Sequence, residues 1–173
     1  MVARVRAAAD EYRARLPAKI AAASPPHVLL PDNRGQALVR PPGLKTELLS
    51  VFSPLGFSAN PRDDPAGIYR LRKTSTTGTR LEVALDIGSL EQPSLSVLFF
   101  VHVGWTYEMF RVPVSSATVH MLQYPIRSTS EWRLMVENLA TIITYLETNL
   151  VPHLEAAAAG EETGVNSTEE SDQ

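Results

Sequence analysis

Residues 80–104 read RLEVALDIG, then SLEQP, then SLSVLFFVHVG, passing from strict alternation to near-continuous apolarity across a five-residue polar connector. In the first part Leu81, Val83 and Leu85 take one side of an extended chain while Arg80, Glu82 and Asp86 take the other. That period of two is the mark of a half-buried strand. From Leu95 to Val103 both sides are apolar, with Leu95, Val97, Phe99, Val101 and Val103 on one and Leu98 and Phe100 on the other. Such a strand belongs in the middle of a sheet.

The neighbouring segments extend this pair into an antiparallel meander. Ile68 to Lys73 forms the preceding strand, and Thr74 to Thr79, with Gly78, makes a polar hairpin loop into Arg80. Trp105 to Val112 forms the following strand, which Pro113 limits to an edge or a strand end. Thr118 to Gln123 is a further short strand. Leu44, Leu48, Leu49, Val51 and Phe52 predict an amphipathic helix that Pro54 and Gly56 close. Asn60 to Gly67 is turn chemistry throughout. Ser128 and Glu131 have capping-box spacing ahead of a long helix whose stripe is Trp132, Met135, Val136, Leu139, Ile142, Ile143, Leu146 and Leu150. Pro152 falls where that helix's last turn would lie. The fold class is therefore α+β, an antiparallel β-meander covered by helices.

Outside residues 44–156 the chain changes character. Val2, Val5, Ala9, Tyr12 and Leu16 form a narrow apolar stripe on an amphipathic helix within residues 1–23, which Pro17 ends or kinks, with Ala18 to Ala23 able to resume helix after the kink. Two readings of the stripe stand: docking on the chain's own domain, or pairing with another copy or another protein. Residues 24–43 are bracketed by Pro-Pro pairs around the turn Asp32-Asn33-Arg34-Gly35, so they form a linker or a short hairpin of Val28–Leu30 with Ala37–Val39. Residues 157–173, acidic and rich in Ser and Thr from Gly160 onward, lack the side chains to build a core and are expected to be disordered.

Composition removes several classes of chemistry. The chain has 173 residues and no cysteine, so disulfides, thiolate metal sites and cysteine nucleophiles are absent. His27, His102, His120 and His153 stand alone without metal-ligand spacing, and no metal is expected. There is neither a P-loop, nor a glycine-rich dinucleotide fingerprint, nor a nucleophile elbow, and no cofactor is expected. Asp63 and Asp64 read as turn residues. Residues 1–86 hold 13 Lys or Arg against 8 Asp or Glu, while the rest hold 3 against 11, so a basic N-terminal part faces an acidic C-terminal one. The total of −3 and the single Arg111 beside the aromatic cluster argue against nucleic acid as a partner. Asp10, Glu11, Arg13 and Arg15 interrupt any secretory h-region, and the longest apolar run, Val97 to Val103, is too short for a membrane span. A cytoplasmic location away from membranes is the expectation.

What remains points to binding. Trp105, Tyr107, Met109 and Phe110 cluster after the middle strand, and these residue types suit interface anchors as well as core packing. With Tyr12 and Leu16 of the helix stripe they are the candidate protein-binding residues. Arg80, Glu82 and Asp86 share a strand face near Arg70 and Arg72, either as cross-strand ion pairs or as a charged binding face. The leading function is a non-catalytic protein-binding module of the immunity, adaptor or small-chaperone type. The alternatives are a structural subunit self-associating through residues 2–22, and an enzyme with a site scattered over His102, His120, Glu108 and Asp86.

Leu44 to Leu154 also resembles the bacterial domain-of-unknown-function family 4304. The similarity rests on the helix ending Pro54-Leu55-Gly56-Phe57, the strand Tyr69 to Lys73, the strand Phe99 to Gly104, and the closing helix from Trp132 to the segment Leu150-Val151-Pro152-His153-Leu154. It implies an α+β fold and carries no catalytic residues over.

Overall fold

The computed structural model describes residues 1–22, 43–59, 68–88, 93–113, 124–125 and 129–160. Its elements in order are α1 (Val2–Ala22), α2 (Leu44–Phe52), a 3-10 turn (Ser53–Leu55), β1 (Ser58–Ala59), β2 (Ile68–Thr74), β3 (Arg80–Gly88), β4 (Pro93–Val103), β5 (Thr106–Arg111), β6 (Tyr124–Pro125) and α3 (Thr129–Ala159). Strands β1 to β5 form an antiparallel sheet in sequence order, and β6 adds a short pair to the start of β4. The α+β meander expected from the alternation is the fold observed.

Register follows from the turns. Strands β2 and β3 are joined by Ser75–Thr79, where Gly78 sits at φ 86° and Ser75 N–H donates to the Thr79 carbonyl. Strands β4 and β5 are joined by only Gly104 and Trp105. Gly104 lies at φ 58°, whereas no residue other than glycine among those described has positive φ. That sign pattern is a type II′ hairpin, which matches the right-handed twist of the strands it joins.

These turns send Leu71 of β2, Leu81, Val83 and Leu85 of β3, Val97, Phe99, Val101 and Val103 of β4, and Phe110 of β5 to one face. The three helices pack there. Helix α3 buries Trp132, Met135, Val136, Leu139, Ile142, Ile143, Leu146 and Leu150, the stripe read from the sequence, while α2 contributes Leu48 and Phe52. Helix α1 contributes Val5, Ala9, Tyr12, Leu16 and Ile20 to the same core. Residues 1–22 are thus part of the domain rather than a separate extension, and docking on the chain's own core is the reading that holds. Arg4 strengthens it, donating from Nε to the Ala157 carbonyl at 3.2 Å, where the unpaired carbonyls of the α3 C-terminus attract a cation.

Both long helices run through a proline for one reason, and in the second this moves the boundary past the sequence expectation. Pro17 lies inside α1 and Pro152 inside α3, and neither ends its helix. An interior proline costs about 3 kcal/mol. Burial of a large aliphatic side chain contributes about 1.5–3 kcal/mol, and buried residues flank both prolines, Leu16 and Ile20 in one helix and Leu150, Val151 and Leu154 in the other. Continuing the helix keeps both sides of each proline on the core. Residues 157–159, assigned from sequence to the tail, are consequently helical, and Gly160 at φ 85° closes α3 with its N–H on the Ala156 carbonyl. Expectations for 24–42, Asn60–Gly67, Thr118–Gln123, Ser128 and 161–173 lie outside the described residues.

Candidate functional site

The face of the sheet opposite the helices is built by the second set of alternating side chains, and no helix among the described residues covers it. Cross-strand pairing lays these side chains out in rows. One row runs Ser58, Arg72, Glu82, Phe100, Met109 and the next runs Thr74, Arg80, His102, Tyr107. The face is charged over β2 and β3 and aromatic over β4 and β5. The sequence of β4 is apolar on both faces, yet all three described helices bury their stripes on the same side of the sheet.

On the charged half the Glu82 carboxylate, only 8% exposed, accepts from Arg70 Nη1 at 2.6 Å and from Arg72 Nε at 2.9 Å, one arginine on each oxygen. Opposite-charge pairs directly across a sheet are a normal source of register stability. They settle the choice between ion pairs and a charged surface for these three residues in favour of ion pairs. Arg80 stands apart: it is exposed, and its guanidinium makes no ion pair or hydrogen bond among the described residues.

His102 sits where the two halves meet. Its ring lies against Tyr107, with centroids 4.5 Å apart, and faces Arg80 across the strand pair. Desolvation, followed by the Arg80 charge, lowers its pKa below the ordinary 6.5, and Arg72 adds to this while Glu82 opposes it. The imidazole is therefore kept neutral. The Tyr107 phenol is shifted upward by desolvation and by Glu82.

On the aromatic half Tyr107 stacks on Phe100 at 5.2 Å and 17°, which shields Phe100 and leaves Tyr107 half exposed beside Met109. Trp105, at the hairpin tip, is 93% exposed. The Met1 side chain packs against Gly104, so the exposed Met1 borders the same tip.

The six candidate binding residues therefore separate. Trp105, Tyr107 and Met109 are at the surface and close together. Tyr12, Leu16 and Phe110 are not available to a partner: each is at most 4% exposed, and the Tyr12 and Phe110 rings meet edge-on at 6.4 Å within the core. Parity explains Phe110, which follows Met109 onto the opposite side of β5. Burial pushes the Tyr12 phenol above its ordinary range, with Tyr145 beside it adding to the shift, although no hydrogen bond of good geometry satisfies the Tyr12 hydroxyl. The sequence reading missed Met1 beside the exposed tip, and Phe100 and His102 as the rings against which Tyr107 packs. The alternation in β4 and β5 carried the signal for the two rings, once the helices are known to pack on the other face of the sheet.

The scattered-enzyme alternative requires Glu108 and His102 to face one substrate. Glu108 pairs with Val101 on the helix side and His102 pairs with Tyr107 on the open side, so the sheet separates them. His120 is outside the described residues. Among the described residues no group of three His, Asp or Glu is placed to hold a metal ion, and no helix is long and apolar enough to cross a membrane.

Comparison with known proteins returns no family model, no curated protein and no solved structure that matches this chain.

Proposed function

We propose that the protein is a non-catalytic protein-binding module whose docking surface is the aromatic half of the open sheet face. The observation that carries this reading is Trp105, 93% exposed on a two-residue hairpin, next to the half-exposed Tyr107 and Met109. A tryptophan held in water gives up the burial that makes large aromatics stabilising, and aromatic and methionine side chains on a rigid scaffold are the usual anchors of an interface. The rigidity is local and specific: Gly104 fixes the turn, and Phe100 supports Tyr107 from below. Self-association through α1 lacks this support, since the stripe of that helix is already spent on the chain's own core.

The test is affinity capture of the full-length chain from its host, beside a Trp105→Ser/Tyr107→Ser variant, with the mass of each eluate measured. The variant is expected to keep the wild-type unfolding midpoint, because surface substitutions change stability by no more than about 0.5 kcal/mol. It is expected to lose a stoichiometric partner that the wild type retains. A wild type recovered alone, or a variant that keeps the same partner, would remove this reading.

A further inference from the structure

A cleft of about 450 Å³ opens at the charged end of the same face, lined by Ser58, Arg72, Thr74, Arg80, Glu82 and His102 among others. We propose that this cleft is an anion site that takes the phosphate group of a phosphate monoester, with Arg80 as its principal cation. The inference does not rest on the protein-binding reading.

Three observations converge on that chemistry. First, Arg80 projects from the start of β3 with no carboxylate or acceptor on its guanidinium among the described residues, although Arg70 and Arg72 on the adjacent strand both engage Glu82. A guanidinium presents several donors in a fixed fork, the geometry that recognises phosphate oxygens. Second, the register gathers neutral donors around it: Thr74 is directly opposite Arg80, His102 is opposite on the other side, and Ser58 is opposite Arg72 in the adjoining row. A group with several acceptor oxygens can engage donors arriving from four strands, which a single carboxylate cannot. Third, the volume exceeds that of an isolated ion and falls in the range of small-molecule sites, roughly 300–1,000 Å³. There is room for the sugar or peptide that carries the phosphate.

The electrostatics agree with this placement. His102 is held neutral by desolvation and by the Arg80 and Arg72 charges, with Glu82 opposing them and the Tyr107 ring packed on its other side. An anion beside Arg80 offsets the field that suppresses protonation, so the imidazole becomes a second charged donor when the site fills. Among the described residues the free cleft therefore holds one unengaged cation, Arg80, and the occupied cleft recruits His102 as another.

The experiment is an NMR titration of the full-length chain with inorganic phosphate at constant ionic strength, following the His102 ring and the backbone amides of Thr74 and Arg80. Ribose 5-phosphate and a phosphoserine peptide of otherwise neutral sequence are titrated next to separate the two sources of the group. Saturable shifts at those three residues are expected, together with a rise in the His102 titration midpoint. Arg80→Gln should weaken binding by at least about tenfold, the loss of one charge-assisted hydrogen bond. Arg6→Gln, on the exposed side of α1, should leave it unchanged. Tighter binding of the sugar phosphate assigns a small metabolite, tighter binding of the peptide assigns a phosphorylated segment, and equal binding assigns recognition to the phosphate alone. A linear drift that sodium chloride reproduces, or an Arg80→Gln chain that binds as tightly as wild type, would overturn the proposal. His102→Gln, tested in parallel, separates loss of the ring as a donor from any disturbance of the fold.

Discussion

Replacing Arg13 with methionine should destabilise this protein far more than replacing the partner of Arg13, and the asymmetry can be worked from the geometry. Glu108 is 5% exposed on the helix side of β5, among the apolar side chains of the core. Its hydrogen-bonding and ionic partner is the Arg13 guanidinium of α1. Arg13, whose side chain is 33% exposed, also pairs with Asp10, donates from Nε to the Met109 carbonyl at 2.9 Å, and lies 4.9 Å from the Phe110 ring centroid. Removing one partner of a buried pair typically costs 3–5 kcal/mol because the other charge is left unpaired. Water can reach the Arg13 side, which sets the expectation for Arg13→Met at the low end, about 3 kcal/mol. By the size scaling of thermal unfolding that lowers the midpoint by about 6–12 °C. Glu108→Leu leaves a guanidinium that still has Asp10, the Met109 carbonyl and solvent, so its expected cost is about 1 kcal/mol. In the double variant Arg13→Met/Glu108→Leu no buried charge remains, and most of the loss should return. Urea unfolding followed by circular dichroism on the four chains of this cycle measures all three quantities. A double variant as unstable as Arg13→Met, or an Arg13→Met chain within about 1 kcal/mol of wild type, would refute the argument that the unpaired Glu108 dominates.

Two further predictions concern single side chains. The Thr106 hydroxyl is buried on the core side of β5 without a hydrogen-bond partner, so the isosteric Thr106→Val should raise stability by about 1 kcal/mol in urea unfolding; a destabilised variant would show that the hydroxyl is satisfied in solution. His102, with its folded pKa depressed, takes up its proton in the unfolded chain first. The fold should lose stability as pH falls below 6.5 towards the lower folded value and regain it as pH rises, and His102→Gln should remove that part of the slope. Parallel pH profiles for the two chains would contradict the depressed value.

Legibility was high where one strand or helix carried the whole signal. The alternation of Arg80–Asp86, the helix at Leu44–Phe52, the hairpin loop with Gly78 and the stripe from Trp132 to Leu150 all stand where the residues put them, since side-chain period is a property of local geometry. The candidate binding residues were legible by type but not by direction. Trp105, Tyr107, Met109 and Phe110 look alike as a cluster, yet β5 alternates, and which set meets water depends on where the helices pack. Arg80 and His102 gave no signal as a pair because they are distant in sequence and meet only through the β3–β4 register.

By itself, then, the sequence determined the main helices and strands, the antiparallel meander class and the absence of cysteine chemistry, because periodicity, turn residues and composition act within a few residues of chain. Only the tertiary structure decided that α1 belongs to the core, that α1 and α3 continue through Pro17 and Pro152, and that the three described helices pack on one face of the sheet. Each of those outcomes depends on burial shared between segments far apart in the chain. A proline's local cost can be outweighed only by contacts that no local window contains.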